Sequence, residues 1–402
     1  MAKDEIVVGL EIGTSKICVV VGEIKSDRTI KVIGVGEAAS RGVRKGEIVD
    51  FDICGKCIRE AIVEAEEKSD VLIKNIYLGV TGAHMQSFNN RGKFLLPEER
   101  DEISNEDVEA VQENAREITV SSQNTFLHTI LQHYYVDDQE GVLNPVGMFG
   151  RKLEADFHIV HGVASRIKNT IRCVKELELE VEDIVFNPFA AAQVVLDQQQ
   201  KNVGSLMIDM GGGTTGYMVY LDGAVERSGV LGLGGDHITN DLSLGLRIPM
   251  AKAEKLKIEH GCVTLGNSEH GDVIALRDDH TFAGREIVRE TLNTIIHLRV
   301  RETLELLKKR LMEDDVLDLL GGGVVLTGGC SLLRGVKHLA EEVFGLPVQL
   351  TRPHNMTGNV SAFENPKYST AIGLVKYAQA TFELEHKGFL GSIFDWLVSG
   401  RK

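Results

Sequence analysis

Proline is scarce in this sequence, with seven among 402 residues, and no stretch reads as a long disordered linker. Basic runs are missing as well. The net charge is −15, which repels nucleic acid unless a local Lys/Arg cluster offsets it. Phosphate binding must then rely on backbone N–H groups and a metal ion. Six cysteines are scattered, and only Cys54 and Cys57 form a C-x-x-C, inside a helical pattern over 50–68. With no second pair and no histidine nearby, zinc and redox roles are disfavoured. Free, scattered thiols fit a reducing compartment. No apolar run approaches the roughly 20 residues of a membrane-spanning helix, and Met1 to Leu10 lacks the apolar core of a signal peptide. The expectation is a cytoplasmic chain that does not cross the membrane. The G-x-x-x-x-G-K-[ST] phosphate loop is also missing.

What is present is ordinary for a globular protein with a substantial core, at 43% hydrophobic and 26% charged residues. At about 100–200 residues per domain the length allows two to four domains, or one split fold. Val- and Ile-rich runs predict strands near 6–10, 17–23 and 30–37, a helix near 50–68 and a strand near 75–81. The order partly recurs, with strands near 204–209, 217–222 and 224–231, then helices near 236–245 and 250–259. Val8 to Ser15 and Leu206 to Gly213 are each an apolar strand ending in an acid, followed by a glycine turn. This predicts a duplicated half-fold, hence two lobes and a cleft. The segment 84–161 interrupts the plan. Ser104-Asn105-Glu106-Asp107 is a capping box opening a helix near 105–117, and strands near 126–136 and 151–161 complete a small α+β insert. A helix near 164–178 and a strand near 181–186 return to the first lobe. A long helix near 285–311, a strand at 324–327 and a helix at 332–344 belong to the second.

Three glycine turns carry the chemistry: Gly13-Thr14-Ser15-Lys16, Gly211-Gly212-Gly213-Thr214-Thr215, and Gly328-Gly329 after an apolar strand. Glycine lets successive N–H groups converge on phosphate oxygens. The hydroxyls add donors, and Lys16 can meet a phosphate as a point charge. Glu11 and Asp209 end the two strands. A carboxylate there repels phosphate directly but can hold Mg²⁺ or its waters, and Asp209 can alternatively orient an attacking water. Any one turn alone could be a tight hairpin and nothing more; all three in this order point to a nucleotide phosphate. Glu254 and Lys257, three apart on a predicted helix, share a face. They suit a ribose or adenine edge, and equally an exposed ion pair.

The tail 388–402 is the clearest amphipathic stretch. At about 100° per residue, Phe389, Leu390, Ile393, Phe394, Trp396, Leu397 and Val398 fill one arc, with Ser392, Asp395, Ser399 and Lys402 opposite. Arg401 falls off the pattern but suits the last turn of a helix. Trp396 is the sole tryptophan, a residue that favours the membrane interface. The alternatives are a membrane-surface helix and a helix docked on the core. Lys387, Arg401 and Lys402 contribute roughly 1 kcal/mol each at an anionic surface, so apolar insertion must dominate.

These motifs resemble the phosphate and adenosine motifs of the actin and heat-shock chaperone superfamily. Pro188 to Leu196 and Tyr368 to Ala378 resemble its two connecting helices. Within that superfamily the chain resembles the FtsA family of bacterial cell-division proteins over essentially its whole length. The likeness is sharpest in Gly9 to Lys16, Gln139 to Gly147, Ala253 to Lys257 and the tail.

The resemblance implies an α/β, two-lobed actin-like (ribonuclease H-like, duplicated) fold with an inserted α+β subdomain and a C-terminal amphipathic helix. Subdomain 1A would comprise 1–83, 162–190 and 366–380, and the insert 84–161 would be 1C. Subdomain 2A would span 191–229 and 301–365, and 2B 230–300. A short linker, 381–387, would lead to the membrane helix. The resemblance also implies ATP and Mg²⁺ between the lobes, with Glu254 and Lys257 near the adenosine and Gly234, Gly235 and Asp236 joining the site. It implies head-to-tail filaments, divisome partners of 1C, and binding of the FtsZ C-terminal peptide by 2B. There Arg285, Arg289 and Arg299 could pair with acidic peptide residues or be solvated helix charges. Gly216 stands where many relatives have Asp, and Glu11 replaces the superfamily's usual Asp. ATP would then act mainly as an assembly ligand, hydrolysed slowly at most. Several tails on one filament would bind membrane far more tightly than one. Two other readings share the scaffold. A PilM-like pilus-assembly protein would not need the tail. A sugar kinase would need a second pocket and a carboxylate base, for which Asp209 is the sole candidate.

Overall fold

The computed structural model describes residues 5–25, 29–118, 120–266, 272–278, 282–353, 356–358 and 365–386. The amphipathic tail, 388–402, therefore lies outside the described residues. Among those described, no helix is long and apolar enough to cross a membrane.

The chain opens with β1 (Glu5–Ile12), β2 (Lys16–Ile24) and β3 (Ile30–Ala39), an antiparallel meander. Ile17 to Val21 are wholly buried, which is why these residues read as an unbroken apolar run rather than an alternation. A small hairpin, β4 (Val43–Arg44) and β5 (Glu47–Ile48), turns at Lys45 and Gly46, both with left-handed φ of 52° and 77°. Helix α1 (Phe51–Ser69) starts at Asp50, whose carboxylate accepts from the Ile53 N–H at 2.9 Å. It packs directly onto β3 at Gly36, where a Cβ would stand 1.9 Å from the Ala61 carbonyl. Cys54 and Cys57 on this helix are buried in the core of the first lobe. Strand β6 (Asn75–Val80) then pairs parallel to β1.

The insert follows: β7 (Gln86–Leu95), α2 (Asn105–Arg116), β8 (Asn124–Val136), β9 (Gln139–Val142) and β10 (Lys152–Val163), in the antiparallel order β7-β10-β8-β9. The capping box forms as expected, with Asp107 accepting from the Ser104 N–H and Ser104 from the Asp107 N–H. Val108, Val111, Leu153, Phe157 and Ile159 give the insert a core of its own. Strand β7 is not legible in the sequence, because Gln86 to Lys93 is a mostly polar edge. Helix α3 (Ala164–Lys175) and β11 (Glu180–Phe186) return to the first sheet.

Helices α4 (Asn187–Val195) and α5 (Gln198–Val203) lead to the second sheet. Strands β12 (Ser205–Met210), β13 (Thr215–Leu221) and β14 (Ala224–Leu231) repeat the opening meander. Helices α6 (Gly235–Leu246) and α7 (Met250–His260) and the hairpin β15 (Val273–Leu276) and β16 (Arg285–Val288) precede α8 (Arg289–Glu313). The long helix thus begins four residues later than its sequence suggests. Arg285 to Val288 pair with β15, burying Ile287, so Arg285 lies on a strand. Then come β17 (Val324–Thr327), α9 (Val336–Phe344), β18 (Val348–Leu350), β19 (Thr357–Gly358) and α10 (Ser369–His386).

The second sheet runs β14-β13-β12-β17-β18 and the first β3-β2-β1-β6-β11, each with three antiparallel strands followed by two parallel ones. The duplication is therefore topological. One correction concerns 301–365, assigned above to the second lobe: β19 pairs parallel with the open edge of β3 in the first, satisfying backbone groups that would otherwise be unpaired. Helices α4 and α10 cross in backbone contact, since a Cβ on Gly373 would lie 2.0 Å from the Ala190 carbonyl.

Candidate functional site

The two glycine hairpins have the same closure. The Gly13 N–H donates to the Lys16 carbonyl at 3.0 Å, and the Gly211 N–H to the Thr214 carbonyl at 2.9 Å. In the second turn the carbonyls of Gly211 and Gly212 accept from the N–H groups of Gly235 at 3.0 Å and Asp236 at 2.8 Å, at the start of α6. A trans peptide sets N–H opposite C=O, so the N–H groups of Gly212 and Gly213 face away from α6. The first turn is the close neighbour of both glycines. A Cβ on Gly212 would stand 2.9 Å from Ser15 Cβ, and one on Gly213 2.3 Å from Thr14 Oγ1. Glycine is therefore required where the lobes meet. The third turn closes the set at Gly328, whose φ is 84° and where a Cβ would stand 2.2 Å from Asp209 Oδ1.

One cavity joins these parts. Glu11 and Gly13 to Lys16 line it from the first lobe. Asp209, Gly211 to Thr214, Glu254, Gly328 and Gly329 line it from the second. Lys16 Nζ meets Glu11 Oε2 at 2.5 Å; burial opposes its charge, yet the Glu11 carboxylate outweighs this and raises the Lys16 pKa. Burial, and then the Glu11 charge, push Asp209 up to about 6, while a hydrogen bond from Thr370 acts the other way.

Two carboxylates thus converge with one ammonium between lobes. Such a pair suits Mg²⁺, a hard cation that takes one or two carboxylates and completes its shell with water and phosphate oxygens. Among the described residues no three His, Cys, Asp or Glu groups converge to hold an ion by themselves, so the remaining ligands would come from those sources. Asn187 supports the fit. It lines the cavity, and its buried Oδ1 has no hydrogen-bond partner, an acceptor suited to a bound water or a ligand N–H.

Several lining residues carry no sequence signal. Lys367 brings a second ammonium, held by Glu37 at 2.8 Å. Thr370 reaches Asp209 from α10, and Gly46 donates to Thr14 Oγ1 at 3.0 Å from the β4–β5 hairpin. Only the crossing of distant segments brings these together.

Other expected residues stand behind the wall. Thr215 is buried and donates to the Leu233 carbonyl at 2.9 Å. Gly234, Gly235 and Asp236 brace the second turn from the α6 side. Lys257 is buried too, with Nζ donating to the Gly235 carbonyl at 3.1 Å, Thr239 Oγ1 at 2.9 Å and Glu254 at 2.7 Å. Glu254 and Lys257 therefore do form an ion pair, of which only Glu254 reaches the cavity. Of the three arginines, Arg289 pairs with Asp272, Arg299 with Asp241 at 2.5 Å and with Glu302, and Arg285 lies 5.8 Å from the Phe282 ring. The membrane candidates Phe389 to Lys402 lie outside the described residues.

Comparison with known proteins agrees with this geometry. A family model described as cell division protein FtsA matches residues 206–373, and one described as the SHS2 domain inserted in FtsA matches 82–161. The cell division protein FtsA of Pseudomonas aeruginosa is 35% identical over 373 residues, covering 93% of this chain and 89% of that protein. That of Escherichia coli strain K12 is 34% identical over 385 residues, covering 93% and 90%. Among solved structures, a PilM-PilN type IV pilus biogenesis complex matches with a TM-score of 0.65 at 16% identity, covering 92% of this chain and 98% of the other. MreB5 of Spiroplasma citri bound to ADP matches with a TM-score of 0.56 at 15% identity, covering 95% and 98%. At such identities these two show the fold alone, which is actin-like.

Proposed function

This chain belongs to the FtsA family of cell division proteins, and we propose that it binds ATP with Mg²⁺ in the interlobe cleft, assembles head to tail, and tethers FtsZ polymers to the inner face of the cytoplasmic membrane. The observation that carries the nucleotide part is the meeting of two like hairpins, one from each lobe, beside Glu11 and Asp209. In this reading the N–H groups of Gly212 and Gly213, with the Thr14 and Ser15 hydroxyls, grip the phosphates. Lys16 and Lys367 supply positive charge. Glu11 and Asp209 hold the Mg²⁺ through its waters, and the ion neutralises phosphate charge. Glu254 marks the adenosine end. ATP acts chiefly as an assembly ligand, because Glu11 and Gly216 depart from the pattern of brisk hydrolases.

The tail supports the membrane part. One amphipathic helix binds weakly, whereas many on one filament bind together at high effective concentration. Nucleotide-driven assembly would then govern attachment, and the FtsZ peptide would dock on the 2B region. PilM likeness in fold alone supplies no rival, since no feature of the cleft or tail favours it.

The test uses Trp396, the sole tryptophan, as a reporter with anionic liposomes. A blue shift strengthened by ATP·Mg²⁺ is expected. The same small shift with and without nucleotide would overturn the link between assembly and attachment, and no shift at all would overturn the membrane anchor.

A further inference from the structure

By chain continuity the insert belongs to the first lobe. Strand β10 runs straight into α3, and His128 of β8 accepts at Nε2 from the Phe186 N–H of β11 at 2.9 Å. Its other side is fastened to the second lobe, on edge strand β14. Gln132 donates to the Val225 carbonyl at 2.7 Å, Asn89 to the Glu226 carbonyl at 3.1 Å, and the Ser87 hydroxyl to the Ser228 carbonyl at 2.8 Å. His158, with no exposed surface, meets the Ser228 hydroxyl through Nε2 at 2.7 Å and Asn89 Oδ1 through Nδ1 at 2.7 Å.

The proton positions follow. The Asn89 amide nitrogen already donates to β14, so its Oδ1 faces His158 as an acceptor. Nδ1 of His158 must carry the hydrogen, and Nε2 then accepts from Ser228. Three strands of the insert, β7, β8 and β10, thus hold three residues of one strand across the lobe boundary.

β14 is tied to the cleft. It pairs with β13 from Ala224↔Leu221 to Thr215↔Leu231, and β13 issues from the turn Gly211–Thr214 that faces Thr14 and Ser15. A displacement of the second lobe against the first at this boundary therefore moves β14 against β7. Apolar packing tolerates small sliding, but directional hydrogen bonds are lost within about 1 Å.

We propose that the insert is a cross-lobe latch: the contacts of Ser87, Asn89, Gln132 and His158 with β14 hold the lobes closed on a bound nucleotide and part when the cleft opens. The seating of the insert on β14 then reports cleft occupancy to whatever binds the insert's outer face. The latch rests on the nucleotide reading of the cleft, and nucleotide leaves when the lobes separate.

Release of a fluorescent ATP analogue with Mg²⁺ from the full chain tests this, with hydrogen exchange at the amides of 225–228 measured in parallel. Gln132 is half-exposed, so Gln132→Ala should fold, and Asn89→Ala serves as a second variant. Release should be several-fold faster in both, and nucleotide should slow exchange at 225–228 in the wild type by a comparable factor. Unchanged release in both variants, or exchange at 225–228 indifferent to bound nucleotide, would overturn the latch. Saturable binding by the wild type is scored first, because its failure would sink the cleft reading itself, and the latch as a nucleotide reporter with it.

Discussion

The Thr370 hydroxyl donates to Asp209 Oδ2 at 3.0 Å, joining the first turn of α10 to the acid that ends β12. Its neighbour Ser369 shares a hydrogen bond of 2.7 Å with the Thr327 hydroxyl. Two adjacent strands of the second lobe, β12 and β17, are thus pinned, beside the phosphate turns, to the helix that leads toward the tail. The acid held there is not an ordinary carboxylate.

Asp209 is pushed up to about 6 by burial and by the Glu11 charge. Mg²⁺ binds the ionised form, so affinity for ATP·Mg²⁺ should rise as pH climbs through about 6 and level off above it. Calorimetric titration across that range checks this, and Asp209→Asn should abolish the pH dependence. Without ligand the sign reverses. A raised folded pKa means stability that is fully present below the unfolded value, about 3.9, and is lost as pH rises through about 6. Unliganded Asp209→Asn should therefore be more stable than the wild type near neutral pH, by about 1–3 kcal/mol.

Gly216 on β13 leaves no room for a side chain, since a Cβ would stand 2.6 Å from Pro188 Cγ in the first turn of α4. Gly216→Asp must displace α4 and should cost about 1–3 kcal/mol. A lower Tm, partly restored by adding Pro188→Ala, is the expected result. An unchanged Tm would mean that α4 is not packed against β13 in this way.

Lys257 fastens α7 to the start of α6 and so supports the second turn. Lys257→Met removes three hydrogen bonds and leaves the Gly235 carbonyl and Glu254 without their cation. Because Glu254 is half-exposed, the expected loss is about 1–3 kcal/mol, below that of a fully buried pair. Nucleotide affinity should fall with it, since the N–H groups of Gly235 and Asp236 orient the turn. Denaturant melts and nucleotide titration of the same variant separate the two effects.

His128 and His158 are held neutral by burial, at about 4 and about 3. Unfolded imidazoles take up protons near 6.5, so both residues contribute stability that is complete above about 6.5 and is lost as pH falls toward 4. The loss should approach about 1.4 kcal/mol per pH unit for each. Urea unfolding at stepped pH should show this slope in the wild type, and His128→Gln should remove one share of it.

Much of the fold was legible in sequence where one local rule sufficed. The Val/Ile runs of β1, β2 and β12 announced buried strands, and Ser104 with Asp107 announced the start of α2. Where local rules conflicted or fell silent, the reading failed. Polar β7 gave no strand signal because one face of it meets solvent. Arg285 to Val288 looked like helix because the charged pattern runs on unbroken into α8, yet pairing with β15 decides their state.

The site divides the same way. Sequence by itself determined the glycine hairpins, the acids before them and the duplication, because backbone freedom and strand periodicity are properties of neighbouring residues. It left Glu254 and Lys257 undecided between cleft and ion pair. Only the tertiary structure decided that Lys257 is a buried brace, that Asn187, Lys367 and Thr370 enter the cleft, and that the insert grips β14. Those outcomes depend on segments from about twenty to well over a hundred residues apart meeting in space, and no local pattern encodes a meeting at that range.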